Sequence, residues 1–524
     1  NKRLLLKRLL YSAALLLTIG VFSRAQAQVY LTENFDGTFT GTPSAPTNWT
    51  QSRFNLWSDG TPAAINVAGP KDWEQNVSTG TSWSKPGFAT PLPASVSGNG
   101  VLWIEDYYFG TTTNALSRRM ESPAMNLSSS TSPYVKFKYW CSQTSNYTYP
   151  LIVVASNDNG QTWKPIMHVQ PNAPVPATGT AAAGSMVATT PWSNIIVRIP
   201  DAYKVSNAKI GLVRNAAYSF ASNLYIDSLS VEEFTPTPII SAASGLWSNP
   251  STWVGGVVPD ANNNVIVDVG HTVEIDVNIA RAQNVTVNGT LRFYSSSTSQ
   301  VLQTFGDLTV NTGGTYSTNT TGSTTVSRWT YIGKSLFNDG TLTVNGSTAT
   351  TLFFSGGSPA TYSGAGTITG GMVPSVYFGN SGGFTVNSPL VLRNSVFLIE
   401  GPVAPNGNLT VGLTGNAMTI TRNARGFFTS RPIYPSLGTS ARNVYYGGTT
   451  NGNMQQAILG RDTIFTGFEC DSVSNGEQLV LGTLTINTMD HIRTTAPLRV
   501  GNATLGGATT FSRGIVFTSA ANPL

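Results

Sequence analysis

The sequence is short of the residues that carry redox chemistry, metal binding and charge. Cys141 and Cys470 are its two cysteines in 524 residues, too far apart to suggest a disulfide framework. Each reads as a buried free thiol or an exposed one with no special role. Histidine occurs three times, at His168, His271 and His491. There is no H-E-x-x-H, no C-x-x-C and no Walker-type glycine loop, so the common zinc-protease, dithiol and nucleotide signatures are missing. Only 10% of residues are charged, which excludes a charged coiled coil.

The formal charge of +5 is local in origin. Lys2, Arg3, Lys7, Arg8 and Arg24 all lie in the first 27 residues; without them 25 basic residues face 25 acidic ones. A neutral body has no global field to draw in nucleic acid or an anionic membrane, so no nucleic-acid partner is expected. Residues 1–27 read as a secretory signal. A basic start precedes an apolar run from Leu9 to Phe22 and the box Ala25-Gln26-Ala27, with cleavage expected before Gln28. The run is about 14 residues against the ~20 a membrane span needs, so an anchor is the weaker reading. No later stretch approaches that length. The expected location is outside the cell or on its outer surface, reached through export machinery.

What is abundant is glycine (52 residues), together with serine, threonine and asparagine, the composition of an all-β chain with many turns. The chain changes character at 245–260, Gly-Leu-Trp-Ser-Asn-Pro-Ser-Thr-Trp-Val-Gly-Gly-Val-Val-Pro-Asp. Before it lies a region rich in Trp, Tyr and Pro. After it come short Thr/Val/Asn/Gly strands. Trp247 and Trp253, with a Gly-Gly turn and Pro259, predict an aromatic plug. Val265, Val267 and Val269 then alternate, and Val273 and Ile275 follow the turn at Gly270-His271. His271 is expected to hold that turn by hydrogen bonds rather than to bind a ligand.

Residues 28–235 are expected to form a β-sandwich. Asn157-Asp158-Asn159-Gly160 is a hairpin-turn signal between apolar strands, and Leu224–Val231 alternates. Residues 236–244, with X-Pro steps at Pro236 and Pro238, read as an extended linker. From 245 onward a strand of the type Leu-Thr-Val-Asn recurs. It begins at Val285, Leu308, Leu342, Phe384, Leu409 and Leu484, with 23, 34, 42, 25 and 75 residues between successive threonines. This predicts a right-handed parallel β-helix, with a second sandwich as the alternative, because a period of 2 does not reveal strand direction. The asparagines are expected to ladder or to turn corners in the left-handed region.

Two resemblances sharpen this outline. W-S-N-P-S-T-W-V-G-G-V-V-P-D followed by V-I-V-D-V-G-H-T-V-E-I-D resembles the G8-type module of extracellular proteins over 245–292, which implies a binding or structural cap. E-N-F-D-G, S-N-D-N-G-Q-T-W and Y-I-D-S-L-S-V, in that order across 28–235, resemble the MAM-like jelly rolls and cleaved-adhesin domains of bacterial surface proteins. That group implies adhesion or glycan binding and a structural calcium. Glu33, Asp36 and Asp227 are the candidate calcium ligands, hard oxygen donors from the first and last strands. Ser228 departs from the pattern, which usually has a second acid there. Residues 293–524 complete the β-helix, which breaks off mid-coil at Pro523-Leu524. The resemblance implies continuation toward a type IX sorting domain.

Trp103, Tyr107 and Tyr108, with Phe109 and Trp140 nearby, are candidates for stacking on sugars; the competing role is sandwich core. Asp490, His491 and Arg493 form the compact polar cluster of the β-helix and are the candidate catalytic group. Asp462, Glu469 and Asp471 lie about one coil earlier as possible partners for paired-carboxylate work. Three functions compete: an adhesin-like protein binding glycan or another surface component, a polysaccharide lyase or hydrolase with an accessory jelly roll, and a structural spacer. A groove of converging acids would favour the enzyme, and one lined by Thr, Asn and Ser the binder or spacer.

Overall fold

The computed structural model describes most of residues 27–446, omitting chiefly 55–72, 78–95, 105–116, 142–150, 170–191, 215–223, 319–327 and 434–441, and beyond them four strands between 473 and 517. All regular structure is β, apart from short 3-10 turns.

Eleven strands build the first unit: β1 (Val29–Glu33), β2 (Thr50–Phe54), β3 (Glu74–Val77), β4 (Gly100–Ile104), β5 (Ser117–Glu121), β6 (Pro133–Cys141), β7 (Leu151–Ser156), β8 (Lys164–Val169), β9 (Ser193–Arg198), β10 (Lys209–Arg214) and β11 (Leu224–Glu233). One sheet runs β3-β4-β11-β6-β9, with β1 also on β11; the other runs β2-β5-β10-β7-β8. Every pairing in them is antiparallel, as expected of a jelly-roll sandwich. Leu102, Ile104, Leu224 and Ile226 from one sheet share a dry core with Met120, Val153, Ile210 and Leu212 from the other.

The turn between β7 and β8 shows why these residues fold locally. Asn159 and Gly160 take φ of +60° and +90°, conformations that asparagine and glycine tolerate. Asp158 accepts from Ser156 Oγ at 2.7 Å and from Thr162 N at 2.9 Å. Partial burial would raise its pKa, but the hydrogen bonds from Ser156 and Thr162 outweigh that and hold it down at about 2.

The second unit is a parallel β-solenoid of about six turns. Its described coils have three stacks of parallel strands. Val265, Val285, Leu308 and Leu336 stack in register on one, Ala280, Leu302, Thr330 and Leu352 on the second, and Val273, Leu291, Tyr316 and Leu342 on the third. Inward residues alternate with outward ones, so Val265, Val267, Val285 and Val287 are all sealed in the core. Asn311 donates to Asn288 Oδ1 at 2.7 Å and Asn284 to Asn264 Oδ1 at 2.8 Å, so the corner asparagines ladder. On the third stack the outward column is Thr272, Thr290, Thr315, Thr341 and Thr367.

Two expectations change. The rung beside Leu308 is Leu336; Leu342 sits on the third stack, because a three-residue motif does not say which face it occupies. The stretch read as a linker contains β12 (Thr237–Ile240), which pairs in parallel with Asn263–Val267 as the solenoid's first rung. An X-Pro step favours extended backbone, and an extended strand with Pro238 suits a sheet edge, where the missing N–H costs nothing.

Candidate functional site

Glu33, Asp36 and Asp227 do not meet as a trio. The Glu33 carboxylate turns back to accept Phe35 N at 2.7 Å. Asp36 Oδ1 accepts Gly100 N at 2.8 Å, and the fully buried Asp227 accepts Val96 N and Ser228 N, each at 2.6 Å. Gly100 thus binds Asp36, beyond the end of β1, and Val96 binds Asp227 on β11. The backbone is strained on both sides: Phe35 has φ of +59° and Ser228 +52°. Such conformations cost of order 1–3 kcal/mol in a non-glycine residue. Ser228 lies where the β11–β6 register slips, so the residue that departs from the adhesin pattern occupies a bulge.

The donors at this end are all oxygen. The Phe35 and Gly37 carbonyls both accept from Gln75 Nε2, at 2.8 and 2.9 Å. Oxygen-only donors suit calcium better than a transition metal. Among the described residues no three His, Cys, Asp or Glu side chains are grouped to hold a metal.

Trp103 lies on the sheet face opposite the sandwich core. It stacks on Tyr225 at 6.1 Å and 16°, and Trp140 meets Tyr225 edge-on at 5.6 Å. All three rings are at most 4% exposed, so Trp103 offers no open face for a sugar in this structure. Tyr107, Tyr108 and Phe109 lie outside the described residues, as do Asp490, His491 and Arg493. His271 holds its turn as expected: Nδ1 lies 2.8 Å from Ser241 Oγ, which also accepts Asp268 N. Trp247 and Trp253 are both buried in the solenoid core cluster, at its N-terminal end.

Sequence reasoning missed the seam between the two units. Strand β8 is the edge of its sheet, and the solenoid covers it. Met167 bridges Gly356 in antiparallel fashion, and Ser381 Oγ donates to the Pro165 carbonyl. Gly357 is required here, since a Cβ on it would lie 2.8 Å from Ile166 Cα; at Gly333 the tighter limit is the solenoid's own Phe305 carbonyl oxygen, 2.2 Å from such a Cβ. Ile152, Val154, Trp163 and Val213 of the sandwich pack on Val301, Trp329, Tyr331 and Phe353 of the second stack. Solenoid residues Ala261 and Phe305 join the sandwich core. His168 is part of this seam, 2% exposed with its ring 5.3 Å from Phe353.

Polar contacts set the register of the seam. Gln283 donates to the Ile196 carbonyl at 2.7 Å, Asn194 to Asp260 Oδ2 at 2.6 Å and Arg281 to Ser193 Oγ at 3.0 Å. Burial lowers the Arg281 pKa to about 10, with Tyr139 and Asp260 opposing the drop. Beside the seam lies a cavity of about 250 Å³, lined by Tyr134 and Arg198 from the sandwich and by Asn284, Asp307, Lys334 and Ser358 from the solenoid. Arg198 pairs with Asp201 at 3.1 Å, Lys204 with the same carboxylate at 2.8 Å, and Lys334 with Asp307 at 3.6 Å. The available sequence signal was glycine recurring just past successive second-stack strands, as in Phe305-Gly306-Asp307, Ile332-Gly333-Lys334 and Ser355-Gly356-Gly357.

Residues 252–323 match the G8 domain family, starting after Trp247 and running past the expected boundary at 292. No curated protein matches the chain. Among solved structures, a cleaved adhesin domain of Lys-gingipain from Porphyromonas gingivalis is similar at 16% identity over 40% of this chain and 100% of that one, with a TM-score of 0.25. TmCBM61, solved with β-1,4-galactotriose, is similar at 13% identity over 38% of this chain and 97% of that one, with a TM-score of 0.18. The Agl-KA catalytic domain aligns at 10% identity over 94% of this chain and 87% of that one, with a TM-score of 0.20. Scores this low carry no argument about function.

Proposed function

We propose that the protein is a secreted or cell-surface adhesin-like protein that binds glycan, or another surface component, without covalent chemistry. The observation that carries this reading is the seam. A jelly roll is locked along the side of a solenoid, covering part of the outer face of the second stack with Ile152, Val154 and Trp163. The open cavity, more polar than apolar, lies where the two units meet. The outward threonine column of the third stack has the composition of a binder or spacer. The G8 match places a module known by that name at the start of the solenoid.

Export by a cleaved signal at 1–27, and a type IX route, belong to the same proposal. N-terminal sequencing of exported protein should begin at Gln28; retention of 1–27 would remove the signal reading. The functional test is a glycan array probed with the full mature chain, because β8 is completed by the solenoid. Reproducible binding to a defined set of glycans supports the proposal. Cleavage of bound polysaccharide, seen as new reducing or unsaturated ends, would replace it with the lyase or hydrolase reading. Absence of binding to any glycan or cell-surface extract would leave a spacer.

A further inference from the structure

The cavity at the seam has a charge pattern that points to one kind of ligand. Outside its lining, the Asp201 carboxylate is shared: Lys204 lies 2.8 Å away, the lining residue Arg198 3.1 Å away, and the field of Lys334 also acts on it. The other acid, Asp307, is already engaged, accepting Ser335 N at 2.9 Å through Oδ1 and facing Lys334 at 3.6 Å through Oδ2. Among the residues that line the cavity, the two cations Arg198 and Lys334 stand against the one carboxylate of Asp307, leaving one positive charge in excess. The Arg198 and Lys334 side chains are 37% and 40% exposed, open enough to meet a ligand.

Size narrows the choice. The volume of about 250 Å³ falls just under the ~300 Å³ at which pockets for drug-sized molecules begin, so one ring fits better than a chain. The lining is also of mixed polarity. A guanidinium fork, an ammonium, a hydroxyl at Ser358 and an amide at Asn284 line the space, and Tyr134, Ile166, Met167 and Phe305 supply its apolar wall. A planar guanidinium matches a carboxylate in two-point contact, and sugar hydroxyls suit the remaining donors and acceptors.

We propose that this cavity binds a single hexuronate residue of a surface polysaccharide, with the sugar carboxylate between Arg198 and Lys334. This rests on the glycan-binding reading above and adds the place and the sugar class. Both units supply a cation, so neither alone carries the complete site.

Calorimetric titration of the full mature chain with trigalacturonate, and with neutral galactotriose as control, tests it. Trigalacturonate should bind at least tenfold more tightly than the neutral sugar, and more weakly as salt rises. Lys334→Ala should weaken it at least fivefold without moving the melting temperature, and Arg198→Lys should weaken it by losing the fork. A sulfated trisaccharide binding as tightly as trigalacturonate would show recognition of negative charge alone and overturn the hexuronate assignment. Equal affinity for acidic and neutral sugars, no binding of trigalacturonate by folded protein, or an unchanged Lys334→Ala would also overturn it. If the array finds neutral glycans while Lys334→Ala binds them normally, the broader glycan reading stands and this site falls.

Discussion

Trp253 donates its indole N–H to the Trp247 carbonyl at 2.8 Å, and the two rings meet edge to face with centroids 5.2 Å apart. One tryptophan thus closes the six-residue loop that the other begins. Both pack with Ile239 and Val265 in the solenoid core, where a β-solenoid would otherwise expose an apolar cross-section. Trp253→Ala is expected to cost about 3–5 kcal/mol. It should raise hydrogen exchange first in Val265–Val287 and lower solubility, while the β1–β11 pairing stays protected. Unchanged protection in those coils would mean that the pair does not act as the cap.

Gly357 tests the seam. A leucine there must displace the Ile166 backbone, since even a Cβ would come within 2.8 Å of its Cα. Overpacking of this kind costs about 1–3 kcal/mol. Gly357→Leu should increase exchange in β8 (Lys164–Val169) and make the protein more extended by small-angle scattering. A variant with wild-type dimensions and β8 protection would show that the contact is loose enough to absorb a side chain.

Asp158 gives a pH signature. Its folded pKa of about 2 lies below the ordinary aspartate value of ~3.9. Its contribution to stability is therefore full above about 4 and is lost as pH falls toward about 2. The melting temperature of wild type should exceed that of Asp158→Asn at neutral pH, and the gap should close between those two values. A gap that is constant down to pH 2 would contradict the depressed pKa.

Calcium at the Asp36–Asp227 end remains our proposal for the sandwich. A ligand bound only by the folded state must stabilise it, by about 2.7 kcal/mol at 100 times its Kd, and so raise the melting temperature with its concentration. Wild type should show this with calcium and lose it with chelator, and Asp227→Asn should lose the response. Because Asp227 also accepts two backbone N–H groups, the variant will be less stable at baseline, so the calcium-dependent difference is the measurement. Wild type indifferent to both calcium and chelator would end the proposal.

The two-unit order and the solenoid were legible because each rests on local pattern. Val265, Val267, Val285 and Val287 alternate with polar residues, and Asn159-Gly160 is unambiguous turn chemistry. The seam was not legible, because docking is non-local and needs the second face of a strand. Its trace was present: Arg328–Ile332 and Thr350–Phe354 are buried along their whole length, and Trp-Thr-Tyr-Ile and Thr-Leu-Phe-Phe break the alternation seen elsewhere. The cavity draws Arg198 and Lys334 from positions that share no motif. Glu33, Asp36 and Asp227 could be named from the resemblance, but where each carboxylate points, such as that of Glu33 toward Phe35 N, depended on side-chain placement.

The pairing of the sandwich's first and last strands also has a kinetic meaning. Tyr30 donates to Glu233 across 203 residues of chain, whereas Asn311 reaches Asn288 across 23. Closing the longer loop costs about 2 kcal/mol more entropy. On loop entropy alone the sandwich closure costs more than any single rung of this kind, and the β1–β11 pairing cannot form until β11 is available. The next strand, β12, then stands as a tethered seed with one edge ready for Asn263–Val267. From there the solenoid can lengthen like a polymer on its primer, each rung adding a short loop, and β8 gains its partner only when the growing end has passed Gly356.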